Sequence, residues 1–341
     1  MLLSIETTMH VPQCRIVASD ILFFHMLTTY IYNAHGVIRH NTTYSHMEQY
    51  DTFTVTFCTR RRDVHSMAKL GDEANNGVST AFIDQLISRL GDHPHVVVDL
   101  TRALDSINIP ASAPNIPGAK VLIVKNGAGF FASCFDTDPP RAKSEVLREL
   151  RSMPYDRQAM LYKRLCASHA RYTNKLDDYS QEPDLINGQG TVASFANYGC
   201  INTIRHSISQ FLGRDTPLVG EVNNYFDARR CGIGWHGDAE RQLWAAMRAG
   251  PGSSEMPLKF QWFHKSSPIG EIVSVDLDDG DVIFFSSWAT GYNFNKGSLL
   301  TLRHAAGSST CAYAKPKKRK ETKNEQDTRK RVKNVFSDEF A

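Results

Sequence analysis

Apolar positions along this chain fall into two textures. In the first half, Phe82, Ile83, Leu86, Ile87 and Leu90 recur at three- and four-residue intervals, which predicts an amphipathic helix over 79–90. HVVVDL (95–100) and KVLIVK (120–125) are short continuous apolar runs and predict buried strands, with a proline-rich loop at 109–117 between them. Residues 140–178 are charged and helix-like, with Val146, Leu147 and Leu150 in one stripe before a break at Pro154. The stretch up to about Asn76 shows no clear period. After Gly188 short apolar runs alternate with Gly- and Ser-containing turns, at 220–225, 231–235, 258–264, 271–277, 282–285 and 299–303. Such spacing, without long helices between, predicts a sandwich or jelly roll. The expected fold class is therefore α+β. A helix-and-strand support (1–185) precedes a jelly-roll core, the double-stranded β-helix (186–312), and a tail (313–341).

Composition supports an ordinary globular protein: of 341 residues, 41% are apolar and 22% charged, enough to bury a sizeable core. A net charge of +3 conceals its distribution, because the tail from Lys315 to Lys333 reads KPKKRKETKNEQDTRKRVK. That segment has almost no large apolar side chains to offset its ordering entropy, so it is expected to be disordered. Its two basic clusters look like a bipartite nuclear import signal, or like an arm that gains affinity for nucleic acid by releasing counterions. The expected partners are nucleic acid and the import machinery, and the expected location is the nucleus or cytoplasm. Seven scattered cysteines without a CxxC pair argue against a disulfide framework and for a reducing compartment. The apolar stretch 16–37 contains Asp20, His25, Asn33 and His35, too polar to span a bilayer, and residues 1–13 hold no Lys or Arg to give the basic start of a signal peptide. No membrane partner is expected.

The chemistry concentrates in Gly234-Trp235-His236-Gly237-Asp238. On a strand, residues i and i+2 share a face, so His236 and Asp238 can converge on one ion. A neutral imidazole beside a hard carboxylate suits non-haem iron(II). A lone HxD is common by chance, but here it follows Asn223-Asn224-Tyr225 and precedes Gly280-Asp281 and Thr301-Leu302-Arg303.

In that order these residues resemble the iron(II)- and 2-oxoglutarate-dependent dioxygenases, within them the AlkB-type branch. The phrases CGIGWHGDAER, MPLKFQWFHKSSPIGE, GDVIFFSSWATGYNFNK and LTLRHAAG are more similar still to a divergent subgroup from protists and large DNA viruses. The resemblance covers roughly a third of the chain and implies iron(II) and 2-oxoglutarate as cofactors. It makes His236 and Asp238 iron ligands, has Arg303 hold the far carboxylate of 2-oxoglutarate, and has Asn223 and Tyr225 hydrogen-bond the cosubstrate. The reaction implied is hydroxylation of a C–H bond on a nucleic-acid base or a protein side chain, possible demethylation included, with succinate and carbon dioxide as by-products.

Two departures from the family pattern matter. No histidine lies between Asp281 and Arg303, so the third ligand is His304, Asn293 or none; His304 is favoured, although alternation turns it outward if Arg303 points inward. A second family arginine, six residues before the conserved one, is here Gly297. The rival expectation is a catalytically degenerate jelly roll that binds nucleic acid or protein.

Overall fold

The computed structural model describes residues 49–59, 77–105, 107, 109, 118–133, 139–161, 163–238, 241, 244–296 and 299–307, which belong to one compact unit. In chain order the elements are β1 (Thr52–Cys58), α1 (Thr80–Leu90), β2 (His95–Asp99), β3 (Lys120–Val124), α2 (Gly127–Ser133) and α3 (Pro139–Ser152). There follow β4 (Gln158–Leu161), β5 (Arg164–Ala167), β6 (Tyr172–Asp177), β7 (Val192–Ser194), α4 (Gly199–Phe211), β8 (Val219–Tyr225) and β9 (Gly232–His236). The last are β10 (Trp244–Ala249), β11 (Leu258–His264), β12 (Ser267–Val275), β13 (Val282–Phe285) and β14 (Leu300–Gly307).

Three layers result. An eight-stranded sheet of order β2-β3-β13-β10-β1-β8-β6-β7 faces a four-stranded sheet of order β12-β11-β14-β9, and β4 and β5 form a separate hairpin. Strand alternation gives the large sheet two different faces. Phe53, Val55, Phe57, Val222, Met247 and Phe284 turn one way and pack with Ile83, Leu86, Val146, Leu150, Ile204 and Ile208 of the helices. On the other face Ile123, Trp244, Ala246, Ile283 and Phe285 meet Leu258, Phe260, Trp262, Leu300 and Leu302 of the small sheet. The described chain is thus a mixed α+β fold with a β-sandwich core.

Several sequence expectations need correction. The stretch before Asn76 does contain a strand. In β1, TFTVTFC alternates large apolar residues with threonines, and it pairs antiparallel with both β8 and β10. A boundary at 185/186 therefore runs through the middle of one sheet, because β1, β2, β3 and β6 share it with β8, β10 and β13. Helical character ends at Ser152; beyond Pro154 come β4, β5 and β6, not more helix. Strand β2 is an edge strand pairing with β3 alone, with Val96 and Val97 47% and 39% exposed rather than buried. A thirteen-residue helix, α4, interrupts the run expected to be all strands, its apolar Ile201, Ile204 and Ile208 buried against the sheet. Glu149 of α3 accepts the first free N–H groups of that helix, from Cys200 and Ile201, both at 2.9 Å. The apolar stretch 16–37 and the basic tail lie outside the described residues.

Candidate metal centre

A cavity of about 670 Å³ opens between the two sheets. On the large sheet its wall is built from the non-helical face of four adjacent strands, and cross-strand register sorts it into rows. Thr173, Asn223, Thr54 and Arg248 stand side by side, and Lys175, Glu221, Thr56 and Ala246 form the next row. Polar side chains on the inner face of a sandwich are costly unless they serve each other or a ligand.

Opposite this wall β9 and β14 pair with His304 facing His236. The rings meet edge to face with centroids 4.3 Å apart. Asp238 follows β9 directly; its backbone N–H donates to Thr290 O at 2.9 Å, which holds the turn against the segment before β14. The His236 Nε2 atom lies 3.8 Å from Asp238 Oδ1, and His304 Nε2 lies 3.6 Å from Asp238 Oδ2. Each of the three residues offers one donor atom, all within 4.8 Å of one another. An ion roughly 2.1 Å from each donor requires donor separations of roughly 3 to 3.6 Å, so the trio closes on a small cation with little adjustment.

Protonation states fit as well. The Nδ1 of His236 is 2.8 Å from Gly234 O; as a donor there, it leaves Nε2 with its lone pair toward Asp238. Burial, reinforced by the neighbouring His304, pushes the His236 imidazole down to about 4, so the ring is neutral at physiological pH. Burial alone would raise Asp238, but Arg241 and the two imidazoles hold its carboxyl well below the usual range and keep it ionised. Arg241 is the bridge: its Nη2 donates to Glu221 Oε2 at 2.8 Å and its Nη1 lies 3.6 Å from Asp238 Oδ2. Glu221, also held ionised against burial by Arg241 and Lys175, completes this support. Trp244, Phe260 and Phe285 surround the His304 ring and keep bulk water from that side.

The remaining expected residues divide. Asn223 and Tyr225 both line the cavity. The Asn223 amide is spanned between two neighbours, accepting from Arg171 Nε at 2.8 Å and donating to Glu221 Oε1 at 3.2 Å. Burial pushes the Tyr225 phenol up, so it stays a hydroxyl donor. Asn293 is buried but belongs neither to the cluster nor to the cavity wall.

Arg303 is the clear correction. The phase of β14 places Leu300, Leu302, His304 and Ala306 on the cavity side, so Arg303 takes the opposite face. Its guanidinium stacks 4.3 Å from the centre of the Phe263 ring, and its Nη2 reaches Phe294 O at 3.4 Å. It does not line the cavity.

Sequence reasoning passed over Arg248, Glu221 and Arg241 as a group. Their signal was a charged residue inside an otherwise apolar short run: Arg248 in WAAMRA, Glu221 in VGEVNNY.

No family model matches the chain. It is 29% identical over 259 residues to an uncharacterized protein, R156, of Acanthamoeba polyphaga mimivirus, an alignment covering 75% of this chain and 96% of that relative. So long an alignment extends well beyond the third of the chain that carries the HxD phrases.

Proposed function

We propose that the protein is an iron(II)- and 2-oxoglutarate-dependent dioxygenase, with His236, Asp238 and His304 as its metal ligands. The observation that carries this reading is the convergence of two imidazoles and one ionised carboxylate from β9, β14 and the turn after β9, at the wall of a cavity. Two histidines and one carboxylate with open positions left are the donor set of non-haem iron(II) oxygenases. Strand order supports the same reading. The strands β8 to β14 fold back and forth between the two sheets, and β1 fills the slot between β8 and β10. We read this as a double-stranded β-helix closed by a strand from the front of the chain.

When bound, iron(II) and 2-oxoglutarate would together activate dioxygen for hydroxylation of a substrate C–H bond. The chain's own residues provide the rest. Arg241, itself fixed by Glu221, orients Asp238, while Gly234 sets the His236 tautomer. Trp244, Phe260 and Phe285 dry the metal side of the cavity. The substrate would enter past the β4–β5 hairpin and its following loop, whose Ala159, Ala167, Ser168, His169 and Arg171 line the mouth. The substrate is proposed to be a nucleic-acid base or a protein side chain. The segment from Lys315 to Lys333 is proposed as a nuclear import signal or a nucleic-acid arm. Among the described residues no helix is long and apolar enough to cross a membrane.

The test is anaerobic addition of iron(II), then 2-oxoglutarate, followed by visible absorption and by succinate release once oxygen is admitted. A charge-transfer band that needs both additions and disappears in His236→Ala is the expected result. Absence of metal uptake by the parent protein would reject the reading in favour of a degenerate binding module.

A further inference from the structure

Among the cavity's charged side chains, Arg248 stands apart. It is 2% exposed and sits on the cavity wall. Its Nε and Nη1 atoms are buried without a hydrogen-bond partner among the described residues. The other buried cations at this wall are paired: Arg241 with Glu221 and Asp238, and Lys175 with Glu221 at 3.7 Å. Among the described residues Arg248 has no carboxylate within ion-pair distance, and the Tyr225 phenol is its electrostatic neighbour. A buried guanidinium with donors left over is stable only where something else completes it.

The backbone around Arg248 is built to hold it still. Its N–H donates to Asp281 O and its carbonyl accepts from Gly280 N–H, both at 2.9 Å. The Asp281 carboxylate in turn accepts from the backbone N–H groups of Asn126 and Asp278 and pairs with Lys125. The Gly280-Asp281 turn noticed in the sequence is therefore the clamp on the strand position that carries Arg248. Across the sheet Arg248 stands beside Thr54 of β1, the next strand.

Its place relative to the metal cluster matters most. Trp244, against the His304 ring, lies four residues earlier on the same strand, roughly 13 Å at 3.3 Å per residue. An arginine side chain covers part of that interval, and a short-chain dicarboxylate can cover the rest.

We infer that Arg248 is the anion anchor of this cavity and that it takes the far carboxylate of a dicarboxylate such as 2-oxoglutarate, the task the resemblance assigns to Arg303. The identity of the dicarboxylate rests on the oxygenase reading; the anion site itself does not. A planar guanidinium matches a carboxylate in two parallel hydrogen bonds, either from Nε with the Nη2 beside it or from the two Nη groups.

Binding of 2-oxoglutarate and of 2-oxobutyrate, which lacks the far carboxylate, is measured calorimetrically on the full chain loaded with manganese(II). The variants are Arg248→Met, Arg248→Lys and Arg303→Met. Arg248→Met should weaken 2-oxoglutarate on the order of a hundredfold, leave 2-oxobutyrate unchanged and retain manganese like the parent. Arg248→Lys should recover part of the loss, and Arg303→Met should bind like the parent. If Arg248 merely supported the fold, Arg248→Met would melt earlier; relieving an uncompensated buried cation should instead raise the melting temperature of the metal-free protein. The anchor is overturned if Arg248→Met binds 2-oxoglutarate as the parent does, or if only Arg303→Met loses it. Should the parent hold no metal yet bind glutarate through Arg248, the oxygenase reading falls and the anchor stands.

Discussion

One residue step along β14 decides which of two adjacent side chains does chemistry. Arg303 and His304 are neighbours, so alternation allows only one of them into the sandwich, and the apolar Leu300, Leu302 and Ala306 set the phase that admits His304. This gives a ranking to test. His304→Ala should abolish metal retention as fully as His236→Ala, while Asn293→Ala should leave it unchanged, all measured by metal analysis after desalting. Equal retention in His304→Ala and the parent would remove His304 from the ligand set. Arg241 acts through Asp238, so its loss should be graded. Arg241→Met is expected to lower metal affinity by roughly 10- to 100-fold, the range typical of residues that hold a ligand in place. Melting should change little by comparison.

At the scale of elements, the HGD turn and the segment before β14 are locked by two glycines. A Cβ on Gly237 would stand 2.0 Å from the carbonyl oxygen of Gly291, which itself sits at φ +70° with its own Cα 3.0 Å from the same point. Neither backbone can retreat without moving Asp238, whose N–H is bonded to Thr290 O. Gly237→Ala is therefore expected to reduce metal affinity more than it reduces secondary structure, read by metal titration beside far-ultraviolet circular dichroism. Unchanged affinity would show that the turn has slack. Elements also explain what the sequence made legible. Helix α1 and strands β3, β8, β11 and β13 carry a strong local period or a clean apolar run. The pairing of His236 with Asp238 is legible because a two-residue spacing on a strand is itself a geometric statement, whereas His304 is one of three candidates for a third ligand that the sequence leaves open. The in-or-out phase of β14 was not legible, since TLRHAAG mixes apolar and polar residues at both parities and only pairing with β11 and β9 selects one. Strand β10 was missed for a related reason. WAAMRA is buried on both faces between sheet and helices, so it shows no alternation, and its one charge reads as a surface residue.

For the whole molecule, the telling feature is that β1 lies between β8 and β10, in the middle of the large sheet. Its Phe53, Val55 and Phe57 reach the helical layer while Thr54 and Thr56 line the cavity, so one seven-residue strand joins both halves of the architecture. Val55→Asp should consequently destabilise the entire fold, by on the order of 4 kcal/mol or more for an unpaired buried charge, with loss of metal binding in parallel. Ending the chain after Gly307 should leave the melting temperature nearly unchanged, because the basic segment has little apolar surface to bury. Retention of melting temperature in Val55→Asp would contradict the central placement of β1. The same placement sets a timetable. During synthesis β1 leaves the ribosome early, but both of its neighbours, Val219–Tyr225 and Trp244–Ala249, are made far later. Until then the nascent chain carries a threonine–phenylalanine strand with two open edges, and such long-range pairing is slow to form and exposed to wrong partners. Release of this protein in a folded state is thus expected to depend on chaperone capacity more than its ordinary composition suggests.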